Sequence, residues 1–176
     1  MNMPAINTLN IIDATALIPL HDRIIAGLFD ELDTPDTKKS HFFHGRFENI
    51  YIAANKIDSL EQVLSFILNQ AAALLDTTPQ ALSVGYWFNL MQQGDITTAH
   101  CHDDHDELLS GTYYLQMPPS SGKLIIQPPQ QAPCTIEPVE GRLVFFHPAV
   151  VHEVTEHENT TARISLGFNI GLKHAC

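Results

Sequence analysis

Ala99-His100-Cys101-His102-Asp103-Asp104-His105-Asp106-Glu107 runs straight into Leu108-Leu109-Ser110-Gly111-Thr112-Tyr113-Tyr114-Leu115-Gln116. Three histidines and three aspartates thus stand at the head of an apolar strand. On an extended backbone, residues two apart point to the same side, so His102 and Asp104 can face one ion together. An imidazole and a carboxylate from one strand, joined by a distant second imidazole, describe the facial triad of non-haem iron. Such a triad leaves the opposite coordination positions open. His-x-Asp alone is a weak signal, because the composition supplies about 0.6 such pairs by chance. Its weight depends on what the rest of the chain adds.

Outward from this stretch the chain is built of short strands. Beyond Pro79, apolar or alternating runs at 83–91, 108–116, 123–127, 135–137, 142–146, 150–155 and 163–170 follow one another. Turn-rich pieces such as Gln92-Gln93-Gly94-Asp95 and Pro118-Pro119-Ser120-Ser121-Gly122 separate them. Strands at this density predict a sandwich or barrel. Before Pro79 the period changes. Leu17, Leu20, Ile24, Ile25, Leu28 and Phe29 recur at helical spacing, and Leu60, Val63, Leu64, Ile67, Leu68, Ala71, Leu74 and Leu75 form a second apolar stripe. Ser59 with Gln62, or Asp58 with Glu61, offers a capping box for that second helix, which should end near Asp76-Thr77-Thr78-Pro79. Residues 47–53 read as a further strand. The two helices are expected to cover one outer face of the β-structure.

Composition narrows the function classes. A chain of 176 residues suits one domain, 1–176, with a helical support region over 1–80 and a strand-built core over 83–170. The first twenty residues lack Lys and Arg, unlike a secretory leader, and no apolar run reaches the length of a membrane span. Three scattered cysteines, Cys101, Cys134 and Cys176, suit a reducing cytoplasm better than a disulfide framework. Nine basic against twenty acidic residues, a net charge of −11, disfavour a nucleic-acid partner. Ten histidines are the unusual count.

Two of the remaining residues add weight to the metal reading. His152 sits within Val150-Val151-His152-Glu153-Val154, inside a predicted strand where an imidazole needs a reason to be. Arg163 heads Ala162-Arg163-Ile164-Ser165-Leu166-Gly167-Phe168, and it is one of only four arginines. A guanidinium buried there must be paired, and a ligand carboxylate is an obvious partner.

The order His-x-Asp, fifty residues, His, eleven residues, Arg (102, 104, 152, 163) resembles the Fe(II)/2-oxoglutarate-dependent dioxygenases. Cys101-His102-Asp103-Asp104, Thr112-Tyr113-Tyr114-Leu115 and His152-Glu153-Val154 are similar to segments of prolyl-hydroxylase-type members. Leu109-Ser110-Gly111-Thr112-Tyr113-Tyr114, with the ending from Arg163 to Asn169, resembles a group of bacterial and phage oxygenases of that superfamily. The likeness covers roughly residues 84–170. That bacterial group often carries His-x-His where this chain has His102-Asp103-Asp104, so His100-Cys101-His102 is an alternative register. A carboxylate completes the triad, and the spacing from Asp104 to Tyr114 fits without a gap, which favours His102 and Asp104.

The resemblance implies a mainly β fold, a double-stranded β-helix or cupin-like jelly-roll with N-terminal helices packed on one sheet. It implies Fe(2+) held by His102, Asp104 and His152, with 2-oxoglutarate as co-substrate and ascorbate as a reductant. Arg163, Ser165 and Tyr114 would hold the far carboxylate of 2-oxoglutarate, Arg163 through its two-pronged guanidinium. Asn89 and Met91, alternating with Phe88 and Leu90, would line the co-substrate pocket, although a half-buried strand explains them equally well. The expected activity is hydroxylation of a peptide or small-molecule substrate that is neutral or cationic. Halogenation is disfavoured because Asp104 is present. A cupin-like iron protein without 2-oxoglutarate, or a non-catalytic metal-binding module, would share the metal residues but would not require Arg163 and Ser165.

The other histidines read as bystanders. His100 and His105 flank the ligands, His147 before Pro148 is the rival to His152, and His21, His41, His44, His157 and His174 read as surface. Tyr86 and Trp87 read as core. The acidic residues of the metal loop, with Glu153, Glu156 and Glu158, are expected to give the iron mouth a negative potential.

Overall fold

The computed structural model describes residues 9–102 and 106–173. Eleven strands are assembled into two sheets. In chain order they are β1 (Leu9–Asp13), β2 (Lys38–Phe43), β3 (Arg46–Tyr51), β4 (Leu82–Met91), β5 (Thr97–His100), β6 (Glu107–Gln116), β7 (Leu124–Gln127), β8 (Cys134–Ile136), β9 (Arg142–Phe146), β10 (Val151–Val154) and β11 (Arg163–Leu172). The larger sheet runs β1-β9-β6-β11-β4-β3-β2 and the smaller β5-β10-β7-β8, with every pairing antiparallel. This is the expected jelly-roll. Two helices, α1 (His21–Glu31) and α2 (Leu60–Leu74), cover the outer face of the larger sheet.

The alternation along β11 shows why the fold produces a site. Ile164, Leu166, Phe168 and Ile170 are buried against the helices, in one core with Ile24, Leu28, Leu60, Val63 and Ile67. Arg163, Ser165, Gly167 and Asn169 therefore face the opposite way, into the space between the sheets. Burying each large apolar side chain contributes about 1.5–3 kcal/mol, so the helix side fixes the register. A slip by one residue would send Arg163 into the hydrophobic core. β6 divides in the same way, with Leu109, Tyr113 and Leu115 toward the helices and Tyr114 in a second cluster with Leu124, Ile126, Ile136, Val144, Phe146 and Val150. Gly111 is required because a Cβ there would collide with the Val144 carbonyl and the Phe168 ring.

Some local expectations fail for physical reasons. Ser59 precedes α2 with φ at +68°, and its hydroxyl donates to Asp58 at 3.1 Å, so it makes no capping box. The first turns of the expected N-terminal helix are a 3-10 segment, Thr15–Leu20, with Pro19 inside it. Two histidines read as surface are buried. His21 is 3% exposed and its Nε2 pairs with the Tyr113 hydroxyl at 2.7 Å, while His157 is fully buried with Nε2 bonded to the Thr161 carbonyl at 2.8 Å. His21 shares the α1 face of Ile24 and Leu28, so the helical spacing already marked it, whereas His157 lies outside any helix or strand and has no periodicity to read. His41 and His44 are exposed as expected, and His174 lies outside the described residues.

Candidate active site

The smaller sheet brings three imidazoles together. His100 ends β5 and pairs directly opposite His152 of β10, and His102 follows two residues later. One ligand-capable atom from each of His100, His102 and His152 lies within 4.8 Å of the other two. The ring centroids are 4.3 Å apart for His100 and His152, 4.9 Å for His100 and His102, and 5.1 Å for His102 and His152.

Local hydrogen bonds aim two of these rings. His100 Nδ1 contacts the Thr98 carbonyl at 2.8 Å, and His152 Nδ1 contacts the Val150 carbonyl at 3.0 Å. A carbonyl can only accept, so each Nδ1 carries the proton and Nε2 keeps its lone pair, the arrangement a metal ligand needs. Burial pushes the His152 pKa down to about 3, partly offset by the Val150 bond and assisted by His100 and His102. The imidazole is therefore neutral, and able to ligate, across the physiological range.

Asp104, expected as the carboxylate ligand, lies outside the described residues together with Asp103 and His105. His100, read as a flanking residue and kept as a ligand only in the alternative register His100-Cys101-His102, is part of the cluster. The rival His147 is solvent-exposed, and its Nδ1 accepts from the Ala149 amide at 3.2 Å.

The larger sheet supplies the facing wall. Ser165 is paired with Asn89 on one side and Tyr114 on the other, so these three side chains form a row across β4, β11 and β6. Arg163, 2% exposed, sits one step along. Its guanidinium donates to Ser165 Oγ at 3.0 Å, to the Gly122 carbonyl at 3.3 Å and to Met91 Sδ at 3.6 Å, and lies 5.4 Å from the Tyr114 ring centroid. Among the described residues no carboxylate pairs with it. Burial, with Arg46 as a like charge nearby, lowers its pKa from the ordinary value. Among the described residues the buried Tyr114 hydroxyl and Asn89 Oδ1 make no hydrogen bond of good geometry, although the Arg163 guanidinium is close enough to act on the hydroxyl. Arg142 faces outward and donates to the Glu137 carbonyl at 2.6 Å.

Arg163, Ser165, Asn89, Thr97 and the three histidines line one small cavity between the sheets. The fit to iron(II) and a dicarboxylate is good. Three imidazoles meet at one point, while a buried cation and a buried hydroxyl stand ready for an anion. A carboxylate from 2-oxoglutarate would satisfy both.

Trp87 was read as core, yet it lines this cavity and the larger cleft outside it. Its ring centroid lies 5.6 Å from that of His102. Gly167 makes the position possible, because a Cβ there would stand 2.5 Å from the indole. The signal was present in the sequence: residue 167 shares the face of Arg163 and Ser165, and glycine there permits a close approach. Gly167→Ala should therefore displace the indole from His102. Trp87 is the only tryptophan, so its emission maximum should shift, and an unshifted spectrum would refute the packing argument.

The cleft, about 640 Å³, is lined by His41, Phe43, Glu48 and Glu107 as well as the histidine side. Of the residues expected at the acidic mouth, Glu107 lines this cleft, joined by Glu48, whereas Glu153, Glu156 and Glu158 are not among its lining.

Comparison with known proteins agrees with this site. The sequence model described as the 2OG-Fe(II) oxygenase superfamily matches residues 86–171. No curated protein matches the chain. A Pseudomonas putida prolyl-4-hydroxylase has a similar fold, with 19% identity and a TM-score of 0.76 over 97% of this chain and 95% of that one. The epimerase SnoN of nogalamycin biosynthesis, α-ketoglutarate dependent, shows 14% identity and a TM-score of 0.72 over 94% and 78%. A Trichoplax adhaerens prolyl hydroxylase, solved with a hypoxia inducible factor peptide fragment, shows 12% and 0.66 over 94% and 84%. Residues 86–171, the strand body that carries the histidines, Arg163 and their cavity, belong to the 2OG-Fe(II) oxygenase superfamily, oxidoreductases that work with iron(II) and 2-oxoglutarate.

Proposed function

We propose that the protein is a hydroxylase of a peptide or small-molecule substrate, with His102, Asp104 and His152 as iron ligands. The observation that carries this reading is Arg163, a guanidinium fully enclosed beside the histidine cluster with no carboxylate of the described chain to neutralise it. Burying an unpaired charge costs several kcal/mol unless a partner arrives. When bound, iron(II) and 2-oxoglutarate supply activation of dioxygen, with 2-oxoglutarate leaving as succinate and carbon dioxide. The chain holds and orients them. Arg163, Ser165 and Tyr114 take the far carboxylate, Asn89 closes the row, and Leu124, Phe146 and Val154 keep water from the inner cavity.

His100 supports a second ligand set, because its Nε2 is free and its ring is part of the same cluster. In that reading three histidines bind iron and Asp104 does not. The absence of Lys and Arg from the cleft lining supports a substrate that is neutral or cationic, and opposes a nucleic acid. No helix of the described residues is long and apolar enough to cross a membrane, and we place the protein in the cytoplasm, which its three scattered cysteines suit. We treat 1–176 as one domain, the first eighty residues supporting a core at 83–170. That support includes β1, β2 and β3 as well as the helices.

The test is succinate formation from 2-oxoglutarate in air with iron(II) and ascorbate. Succinate from the wild type is the expected result. Iron binding without any succinate would overturn the 2-oxoglutarate reading and leave the cupin-like protein or the non-catalytic metal-binding module.

A further inference from the structure

Glu107 opens β6 where two hollows meet. One is the 640 Å³ cleft in front of the histidines. The other, about 420 Å³, is lined by Ser83, Tyr86 and Leu172 among others. Tyr51, Trp87, Glu107 and Asn169 belong to both, and so form the passage between them.

The Glu107 carboxylate is incompletely satisfied. Its Oε2 is shielded from water and accepts no hydrogen bond from any of the described residues. Its Oε1 has one long contact, from Asn169 Nδ2 at 3.5 Å. Asn169 is itself held by the Ser110 hydroxyl, which donates to its Oδ1 at 2.8 Å, so its amide is fixed with Nδ2 toward Glu107. No Lys or Arg lines either hollow. Glu48, the other glutamate of the cleft, is paired with Arg46 at 3.3 Å and is not in the same condition. A carboxylate oxygen without a donor costs free energy until one is supplied.

We propose that Glu107 is the specificity-determining residue for a substrate bearing an ammonium or guanidinium group. The cation docks on the Glu107 carboxylate within the passage formed with Tyr51 and Trp87, and the carbon to be oxidised reaches toward the histidines. This deepens the hydroxylase reading and rests on it for the second half only. Three features support a cation over a neutral donor. The carboxylate is anionic, the Tyr51 and Trp87 rings beside it suit cation–π contact, and the net charge of −11 draws cations to the surface. Glu107 is only partly buried, so a side-chain rotation can turn its free oxygen into the passage.

The test is a titration of the full-length, iron-free protein, read by Trp87 fluorescence and thermal stability. The probes are Nα-acetyl-lysine amide and Nα-acetyl-arginine amide, each against its neutral counterpart, Nα,Nε-diacetyl-lysine amide and Nα-acetyl-citrulline amide. The cationic probes should bind at least roughly tenfold more tightly than the neutral ones. That preference should vanish in Glu107→Gln, which keeps the shape and removes the charge, and return in Glu107→Asp. The proposal is overturned if neutral and cationic probes bind alike, if no probe binds, or if Glu107→Gln keeps the preference. Neither iron nor turnover is involved, so this result stands apart from the succinate assay. Cation binding without succinate would sink the hydroxylase reading alone, and succinate without cation preference would sink this one alone.

Discussion

Removing the His152 imidazole should abolish ferrous iron binding while the fold persists. His152 is buried, and its Nδ1 is tied to the Val150 carbonyl, which leaves Nε2 for the metal. The helix-side core, to which His152 does not belong, stays intact in His152→Ala, so cooperative unfolding should survive the loss. His102→Ala should behave alike. The informative pair is Asp104→Ala and His100→Ala. If Asp104 is the third ligand, its removal abolishes binding, whereas loss of His100 acts only through orientation, a weakening of about 10–100-fold. If His100 is the ligand, the order reverses. Anaerobic iron(II) titration read by Trp87 quenching distinguishes the two, since the indole lies beside His102. Full-affinity binding by His152→Ala would remove His152 from the site altogether.

How much of this was legible without coordinates depended on which forces write themselves into a sequence. β4, β6, β9 and β11 alternate between the helix-side core and the inter-sheet space, and alternation is what a strand reading detects. Arg163 and Ser165 could be placed on one face for the same reason. β5, Thr-Thr-Ala-His, has no apolar pattern and owes its existence to pairing with β10. The sequence offers His100 only through the alternative register His100-Cys101-His102, and β5, which sets it opposite His152, leaves no local pattern. β1 and β2 are edge strands of the larger sheet and were missed for similar reasons. Glu107 and Asn169, sixty-two residues apart, meet only through the pairing of β6 with β11. Spacing rules fail where the partner comes from another strand.

Arg163→Met should raise the stability of the ligand-free protein while destroying its response to 2-oxoglutarate. The native guanidinium is 2% exposed and partnered only by neutral groups, Ser165 Oγ, the Gly122 carbonyl and Met91 Sδ. Three such contacts do not replace the hydration of a cation, and Arg46 adds like-charge repulsion. Methionine fills similar space without the charge, and exchanges of buried charges for packed apolar groups are often stabilising by about 1–4 kcal/mol. Urea unfolding of the ligand-free protein should therefore shift to higher midpoint in the variant. With 2-oxoglutarate present the order should reverse. A ligand at a hundred times its dissociation constant stabilises the wild type by about 2.7 kcal/mol and the variant hardly at all. Arg163→Lys gives the intermediate case. It keeps the charge but loses the fork, so co-substrate affinity should fall roughly tenfold to hundredfold with iron binding unchanged. The two measurements test one cause, a cation buried in advance of its partner. A variant that loses stability and keeps its 2-oxoglutarate response would show instead that Arg163 serves the fold.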